Sequence, residues 1–190
     1  MPRIPYQFPE PGVSAVADSI RERRNGELIK LDGVLLNAPS MAAGYSNLLR
    51  SVRLDNSLSA DIREVLILRV AALNGATYEW IAHEPIARAA GINTLQLGVI
   101  RDVTTALTEH VDPTNLLSES CRTALVYADW MTKNVRVPQS VFDALKTHFS
   151  DQKIAEITVT VSTYNMVSRI LVALDVGELA EVDVPQMDKA

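Results

Sequence analysis

An all-α fold is predicted from three features of the chain. Apolar residues recur every three or four positions over most of its length, and no alternating β-branched run exceeds a few residues. Gly, Asn-Gly and Pro punctuate the pattern at helix-length intervals. At 190 residues one hydrophobic core is the natural outcome, so a single helical domain is expected.

The elements follow in order. Residues 1–11 carry Pro2, Pro5, Pro9 and Pro11, which remove backbone donors and restrict their predecessors, so this segment is an extended arm. The helical domain spans 12–177. Ser14 to Arg24 and Glu27 to Leu36 form two helices divided by Asn25-Gly26, a pair that tolerates positive φ. Pro39 opens a third, to Arg53. Ser59 offers an N-cap and Asp61 a first-turn carboxylate to a helix with Ile62, Val65, Leu66, Leu68, Val70 and Leu73, which stops at Asn74-Gly75. Thr77 caps the next, through Tyr78, Trp80, Ile81 and Ile86 to Ala90, closed by Gly91. Pro85 inside it costs roughly 3 kcal/mol and frees the Ile81 carbonyl, so a kink is expected near His83. Short helices from Thr94 to Arg101 and from Val103 to His110 come next, followed by Ser118 to Asn134, Pro138 to Phe149 and Asp151 to Leu174. Residues 178–190 read as a loose acidic tail. Glu64 and Glu156 occupy similar places in two apolar helices, a weak internal echo that shared composition explains equally well.

Composition excludes several functions. A net charge of −5 with interspersed Lys and Arg does not suit a nucleic-acid partner. The one basic cluster, Arg21, Arg23 and Arg24, reads as a solvated helix end beside Glu22. Charged and polar residues break every apolar stretch well short of the ~20 residues of a membrane span, and the N-terminus offers no signal-peptide core. A cytoplasmic protein without membrane association is expected. Cys121 is the only cysteine, so no thiol pair exists within one chain, and its amphipathic surroundings suit a small buried thiol better than a nucleophile. No G-x-S-x-G elbow or glycine-rich phosphate loop occurs. His-Glu-Pro at 83–85 lacks the second histidine of a helical zinc motif, so no metal and no cofactor is expected.

The chemistry concentrates between Glu64 and His83. A carboxylate inside an apolar helix must pair, protonate or work. Arg69 or Arg63 would be its counter-charge if its role were structural. His83 has an ordinary pKa near 6.5 and suits proton transfer at neutral pH; a helix returning from the turn at Asn74 to Thr77 would lie beside Glu64. Glu79, four residues before His83, shares its helical face and is a second proton carrier or a plain surface pair. Tyr78 and Trp80 are expected to wall a pocket, and Arg69 or Arg63 to hold a substrate carboxylate.

The segment from Leu58 to Ile92, L-S-A-D-I-R-E-V-L-I-L-R-V-A-A-L-N-G-A-T-Y-E-W-I-A-H-E-P-I-A-R-A-A-G-I, resembles the signature region of the carboxymuconolactone decarboxylase and alkylhydroperoxidase D superfamily. The resemblance extends upstream from Leu35 and downstream from Thr163. In peroxidase-type members a glutamate precedes a Cys-x-x-Cys and a histidine; Glu64 and His83 match the first and last, and Ala76 and Glu79 stand in place of the cysteines. The resemblance implies an alkylhydroperoxidase D-like bundle assembling into a trimer or hexamer, and a cofactor-free decarboxylase-like branch acting on a small organic acid or lactone. Without the thiols, peroxidase activity should be absent. Decarboxylation or related proton transfer by His83, Glu64 and Glu79 is the function expected, with Tyr78, Trp80 and Arg69 binding substrate. The alternative is a non-catalytic oligomer or small-ligand binder on the same scaffold.

Overall fold

The computed structural model describes residues 1–108 and 110–187. Among them the chain forms nine α-helices and no strand: α1 (Ala15–Arg23), α2 (Lys30–Leu35), α3 (Pro39–Arg53), α4 (Ala60–Asn74), α5 (Thr77–Ala89), α6 (Thr94–Arg101), α7 (Glu119–Asn134), α8 (Gln139–Lys146) and α9 (Asp151–Ala173). The all-α class expected from periodicity is the class observed.

Helix α4 is the centre of the bundle. Every residue from Glu64 to Ala71 is buried, and a helix apolar on all sides must be surrounded by other helices; α5, α7 and α9 pack around it. Leu66, Ile67, Leu68, Trp80, Leu125 and Ile157 are each fully buried there, and side chains of this size contribute about 1.5–3 kcal/mol apiece on leaving water. α4 ends where Gly75 adopts φ 62°, a left-handed conformation that L side chains resist. The two-residue link Gly75-Ala76 then lets α5 return along α4.

Charge is also built into this core. Arg69 of α4 and Asp129 of α7 are both 0% exposed and joined twice, Nε donating to Oδ1 at 2.6 Å and Nη2 to Oδ2 at 2.9 Å. Arg69 Nη1 donates to the carbonyls of Ile100 at 3.0 Å and Asp102 at 2.8 Å. The pair therefore ties α4, α7 and the end of α6 together.

Several local expectations need correction. The second helix starts at Lys30, not Glu27, because Asp32 reaches back to accept from the Ile29 N–H at 2.9 Å and fixes the first turn there. Ser59 occupies the N-cap of α4 without a side-chain cap bond. Thr77 is inside α5, not its cap, and its hydroxyl donates to the Val182 carbonyl. α5 runs unbroken through Pro85. Ile81 and Pro85 lie on its exposed face, where water can serve the freed carbonyl. In place of a helix from Val103 to His110 there is only a 3-10 turn, Val103–Thr105, held by Asp102, which accepts from the Thr104 N–H at 3.0 Å and hydroxyl at 2.6 Å; Glu109 lies outside the described residues.

The chain ends also differ in how they are held. The extended arm docks on the bundle, the Arg3 N–H donating to the Leu174 carbonyl at 2.9 Å and Gln7 to Gly33 at 2.8 Å. The tail expected to be loose is anchored: Val184 is buried, and Arg101 donates to the carbonyls of Val184 at 2.8 Å and Pro185 at 2.7 Å. Residues 188–190 of that tail lie outside the described residues. Glu156 does not repeat the setting of Glu64. It lies near the surface, accepting from the Ser57 N–H at 3.1 Å and hydroxyl at 2.7 Å.

One strained residue gives a stability prediction. Val135 follows α7 at φ 63°, ψ −42°, is 83% exposed, and sits in a tight turn where Arg136 N–H meets the Asn134 carbonyl at 2.6 Å. A β-branched residue is disfavoured in such a turn. Val135→Gly is expected to stabilise the fold by about 1 kcal/mol, relief of strain exceeding the entropy glycine adds to the unfolded chain. Thermal unfolding measures it; a lower melting temperature would refute the strain.

Candidate active site

Four helices send polar side chains to one buried place beside α4. Glu79 and His83 share a face of α5 by their spacing of four, and Tyr164 and Ser168 share a face of α9 in the same way. Glu64 comes from the second turn of α4 and Arg53 from the last turn of α3. Glu64, Glu79, His83, Tyr164 and Ser168 are all buried.

His83 is held at both ring nitrogens. Its Nδ1 lies 2.7 Å from Glu64 Oε2. A carboxylate only accepts, so Nδ1 carries the hydrogen and Nε2 presents its lone pair. Arg53 Nη2 donates to Nε2 at 2.9 Å, and the Tyr164 hydroxyl lies 3.2 Å from it. Arg53 Nε also donates to that hydroxyl at 2.7 Å, so the phenolic hydrogen shares the single Nε2 lone pair with Arg53 Nη2 as the longer of two contacts. The Tyr164 and His83 rings meet edge to face at 5.2 Å. Burial lowers the His83 pKa; the Glu64 hydrogen bond opposes this and the Arg53 charge reinforces it, so the imidazole is neutral at neutral pH. Glu64 Oε1 lies 3.4 Å from Arg63 Nε, a contact that offsets part of the cost of its burial.

Glu79 is in the opposite state. Burial pushes its pKa well above the ordinary 4.5, outweighing the contact with Ser168 and the charge of Arg53. The hydrogen bonds point the same way. Ser168 Oγ lies 3.0 Å from Glu79 Oε2 and 2.9 Å from the Tyr164 carbonyl, and one hydroxyl proton cannot serve both. A protonated Glu79 donating to Ser168 Oγ, which donates to the carbonyl, completes the chain.

The protonated state has a pH signature. A carboxyl whose folded pKa exceeds its unfolded value binds more protons when folded. Its contribution to stability is full below about pH 4.5 and declines as pH rises toward the folded pKa. Glu79→Gln keeps the shape without titrating, so it is expected to flatten this decline and to be more stable than the parent at about pH 8. Urea unfolding of both proteins at about pH 5 and 8 decides it: an unchanged pH slope would mean that Glu79 is ionised.

Other residues singled out in the sequence lie elsewhere. Trp80 is 0% exposed in the core, its Nε1 donating to Glu84 Oε2 at 3.3 Å. Tyr78 packs against Gly177, where a Cβ would meet Tyr78 Cδ2 at 2.6 Å and φ is 79°. Arg69 spends its donors on Asp129 and two carbonyls, so its expected substrate contact is corrected: Arg53 holds the place beside His83. Cys121 is buried in α7 with its thiol pKa raised by burial, away from any nucleophilic role. Among the described residues no three His, Cys, Asp or Glu side chains cluster as a metal site would require.

Arg53, Tyr164 and Ser168 were not picked out as site residues by sequence. Nor was the role of the basic cluster. A cavity of about 290 Å³ beside Arg53 is lined by Arg23 and Arg24 together with Glu27, Ile29 and Leu49. Arg23 and Arg24 are therefore not simply a solvated helix end. Arg21, in the last turn of α1, is also partly buried: it pairs with Asp18 at 2.8 Å and donates to the Pro9 carbonyl.

Comparison with known proteins gives the following similarities. Residues 39–108 match the Carboxymuconolactone decarboxylase family model. A candidate antioxidant-defence protein AhpD of Agrobacterium tumefaciens, of unknown function, superposes with a TM-score of 0.66 at 21% identity, covering 80% of this chain and 95% of that one. A peroxidase-related protein with an alkylhydroperoxidase AhpD core from Ralstonia eutropha JMP134 gives 0.71 at 20% identity, covering 91% and 92%. A cysteine-to-alanine variant of the debrominase Bmp8, bound to 2,3,4-tribromopyrrole, gives 0.71 at 16% identity, covering 91% and 90%. No functionally curated protein matches. At these identities the superpositions establish the shared fold.

Proposed function

We propose that this chain, a member of the carboxymuconolactone decarboxylase and alkylhydroperoxidase D-like superfamily, is a thiol-independent acid-base enzyme acting on a small organic acid or lactone. The observation that carries the proposal is the orientation of His83: Nδ1 fixed on Glu64 at 2.7 Å, Nε2 directed at Arg53 and Tyr164. With one cysteine in the chain, an intramolecular thiol pair is not available for peroxide reduction.

The chemistry follows from the donors and acceptors present. His83 Nε2 takes a proton from carbon next to a substrate carbonyl, and the electron pair of that C–H bond moves onto the carbonyl oxygen. Glu64 stabilises the imidazolium so formed, while the Tyr164 hydroxyl stabilises the enolate oxygen. Decarboxylation uses the second half of this sequence. The C–C bond electrons pass onto the carbonyl oxygen as carbon dioxide leaves, and His83, after its neutral imidazole has taken up a proton from solvent, delivers that proton to the enolate carbon. Glu79, protonated and one helical turn away on α5, is a reserve donor. Self-association into a trimer or hexamer belongs to the same proposal, supported by the exposed side chains of Met41, Leu48 and Met166 around an apolar groove between α3 and α9.

The non-catalytic alternative has one observation in its favour: Nε2 is already occupied by Arg53. Turnover of candidate acids and lactones by the parent protein and by His83→Ala separates the two. Turnover that needs His83 supports the enzyme; full turnover without it removes the assignment.

A further inference from the structure

We propose that the cavity at Arg23, Arg24 and Arg53 is an oxyanion site for the carboxylate of a small acid, and that filling it draws Arg53 away from His83 Nε2. The second half rests on the acid-base reading above; the first half does not.

Three guanidinium groups line one cavity of about 290 Å³, with Glu27, an exposed residue, as the single acidic lining group. Their existing partners leave positive charge unmatched. Arg24 faces Asp32, whose Oδ2 lies 2.7 Å from its Nε. Arg23 has a neutral partner, its Nε donating to Ser46 Oγ at 2.9 Å, and its buried Nη2 has no hydrogen-bond partner. Arg53 spends its charge on two neutral groups, Tyr164 and His83. Burial and the charge of Arg24 press Arg23 below its ordinary pKa; Asp32 opposes this and the charge of Arg53 adds to it.

A carboxylate relieves this crowding. Guanidinium forks match its two oxygens, and charge-assisted bonds of this kind are the strong ones. Ile29, Leu49 and Leu54 give the cavity an apolar side for a short hydrocarbon or ring.

The cavity also explains why His83 is covered. Its lone pair is engaged by Arg53 at 2.9 Å, which silences it as a base. An anion seated between Arg23 and Arg24 competes for Arg53. Once Arg53 turns toward it, Nε2 keeps only the longer 3.2 Å contact to Tyr164, a single weak donor for substrate to displace. Base and carboxylate site are thus switched on together by the same ligand.

Benzoate, with neutral benzamide of the same shape as control, tests this on the full chain by calorimetry and by NMR titration of ¹⁵N-labelled histidine. Benzoate is expected to bind and to raise the His83 pKa, and benzamide to do neither. Arg23→Gln should weaken benzoate on the order of tenfold or more while leaving the ligand-free His83 pKa in place. Arg23→Lys, which keeps the charge but loses the fork, should fall between the two and covers any folding defect in the glutamine variant. Arg53→Gln should raise the His83 pKa without ligand and blunt the further rise with benzoate. Equal binding of benzoate and benzamide, no benzoate binding at millimolar concentration, full affinity in Arg23→Gln, or a His83 pKa unmoved by bound benzoate would each overturn the proposal. If benzoate behaves as expected but His83→Ala retains turnover, this site stands and the catalytic assignment fails.

Discussion

His83→Ala is expected to lower turnover by roughly 10²- to 10⁴-fold, the usual contribution of a positioned acid-base group. The loss should fall mainly on kcat, because His83 is buried behind Arg53 and contributes little to holding the ground state. Added imidazole should return part of the activity through the space left behind. Glu64→Gln gives the companion result. The hydrogen bond from His83 to Glu64 raises the histidine pKa, so its loss should move the acidic limb of the kcat/KM profile to lower pH as well as lowering the rate. A purely structural Glu64 would change the melting temperature and leave the profile in place.

Arg69→Ala is expected to destabilise the protein by about 3–5 kcal/mol, the cost of leaving a fully buried partner charge uncompensated. Asp129 is 0% exposed and its two oxygens both accept from Arg69. The carbonyls of Ile100 and Asp102 lose a donor at the same time. Asp129→Asn should cost less, since it keeps an acceptor and removes the charge. Urea unfolding gives the free energies. Turnover per folded molecule should be unchanged in both variants, and this separates the pair's structural role from the substrate contact expected from sequence. A stable Arg69→Ala protein with raised KM would restore the sequence expectation.

The two arginines show where sequence reasoning holds and where it stops. Arg69 looked like a partner for Glu64 because the two lie close in one helix. Five residues turn an α-helix by about 140°, and the guanidinium therefore leaves toward α7. Arg53 ends α3 with Arg50 in its last turn, as basic residues at helix C-termini often do. Its contact with His83 spans 30 residues, and that of Tyr164 spans 81. No periodicity within one helix reports such pairs. Trp80 and Tyr78 flank the site in sequence but were taken by the core and by Gly177, since aromatic side chains go where the largest apolar area can be buried.

What was legible had a local cause. α4 and α9 were visible because long apolar runs can only be buried helices. Glu64 and His83 stood out as polar residues inside such runs, and the short link at Gly75 implied that α5 would bring them together. Glu79 followed from its spacing of four to His83, although its protonated state depends on Ser168, which lies 89 residues away. Tight turns were the weaker part. The segment after α6 kept a helical pattern, yet Asp102 captured the Thr104 backbone and side chain and stopped it.

The central claim is that His83 is a neutral imidazole oriented by Glu64, with Nε2 as its working atom. ¹⁵N chemical shifts of the histidine ring across a pH series test this directly. At neutral pH Nδ1 is expected to be protonated and Nε2 unprotonated. The ring is expected to titrate below the ordinary value of 6.5, and lower still in Glu64→Gln. An imidazolium at neutral pH, or a tautomer protonated at Nε2, would contradict it.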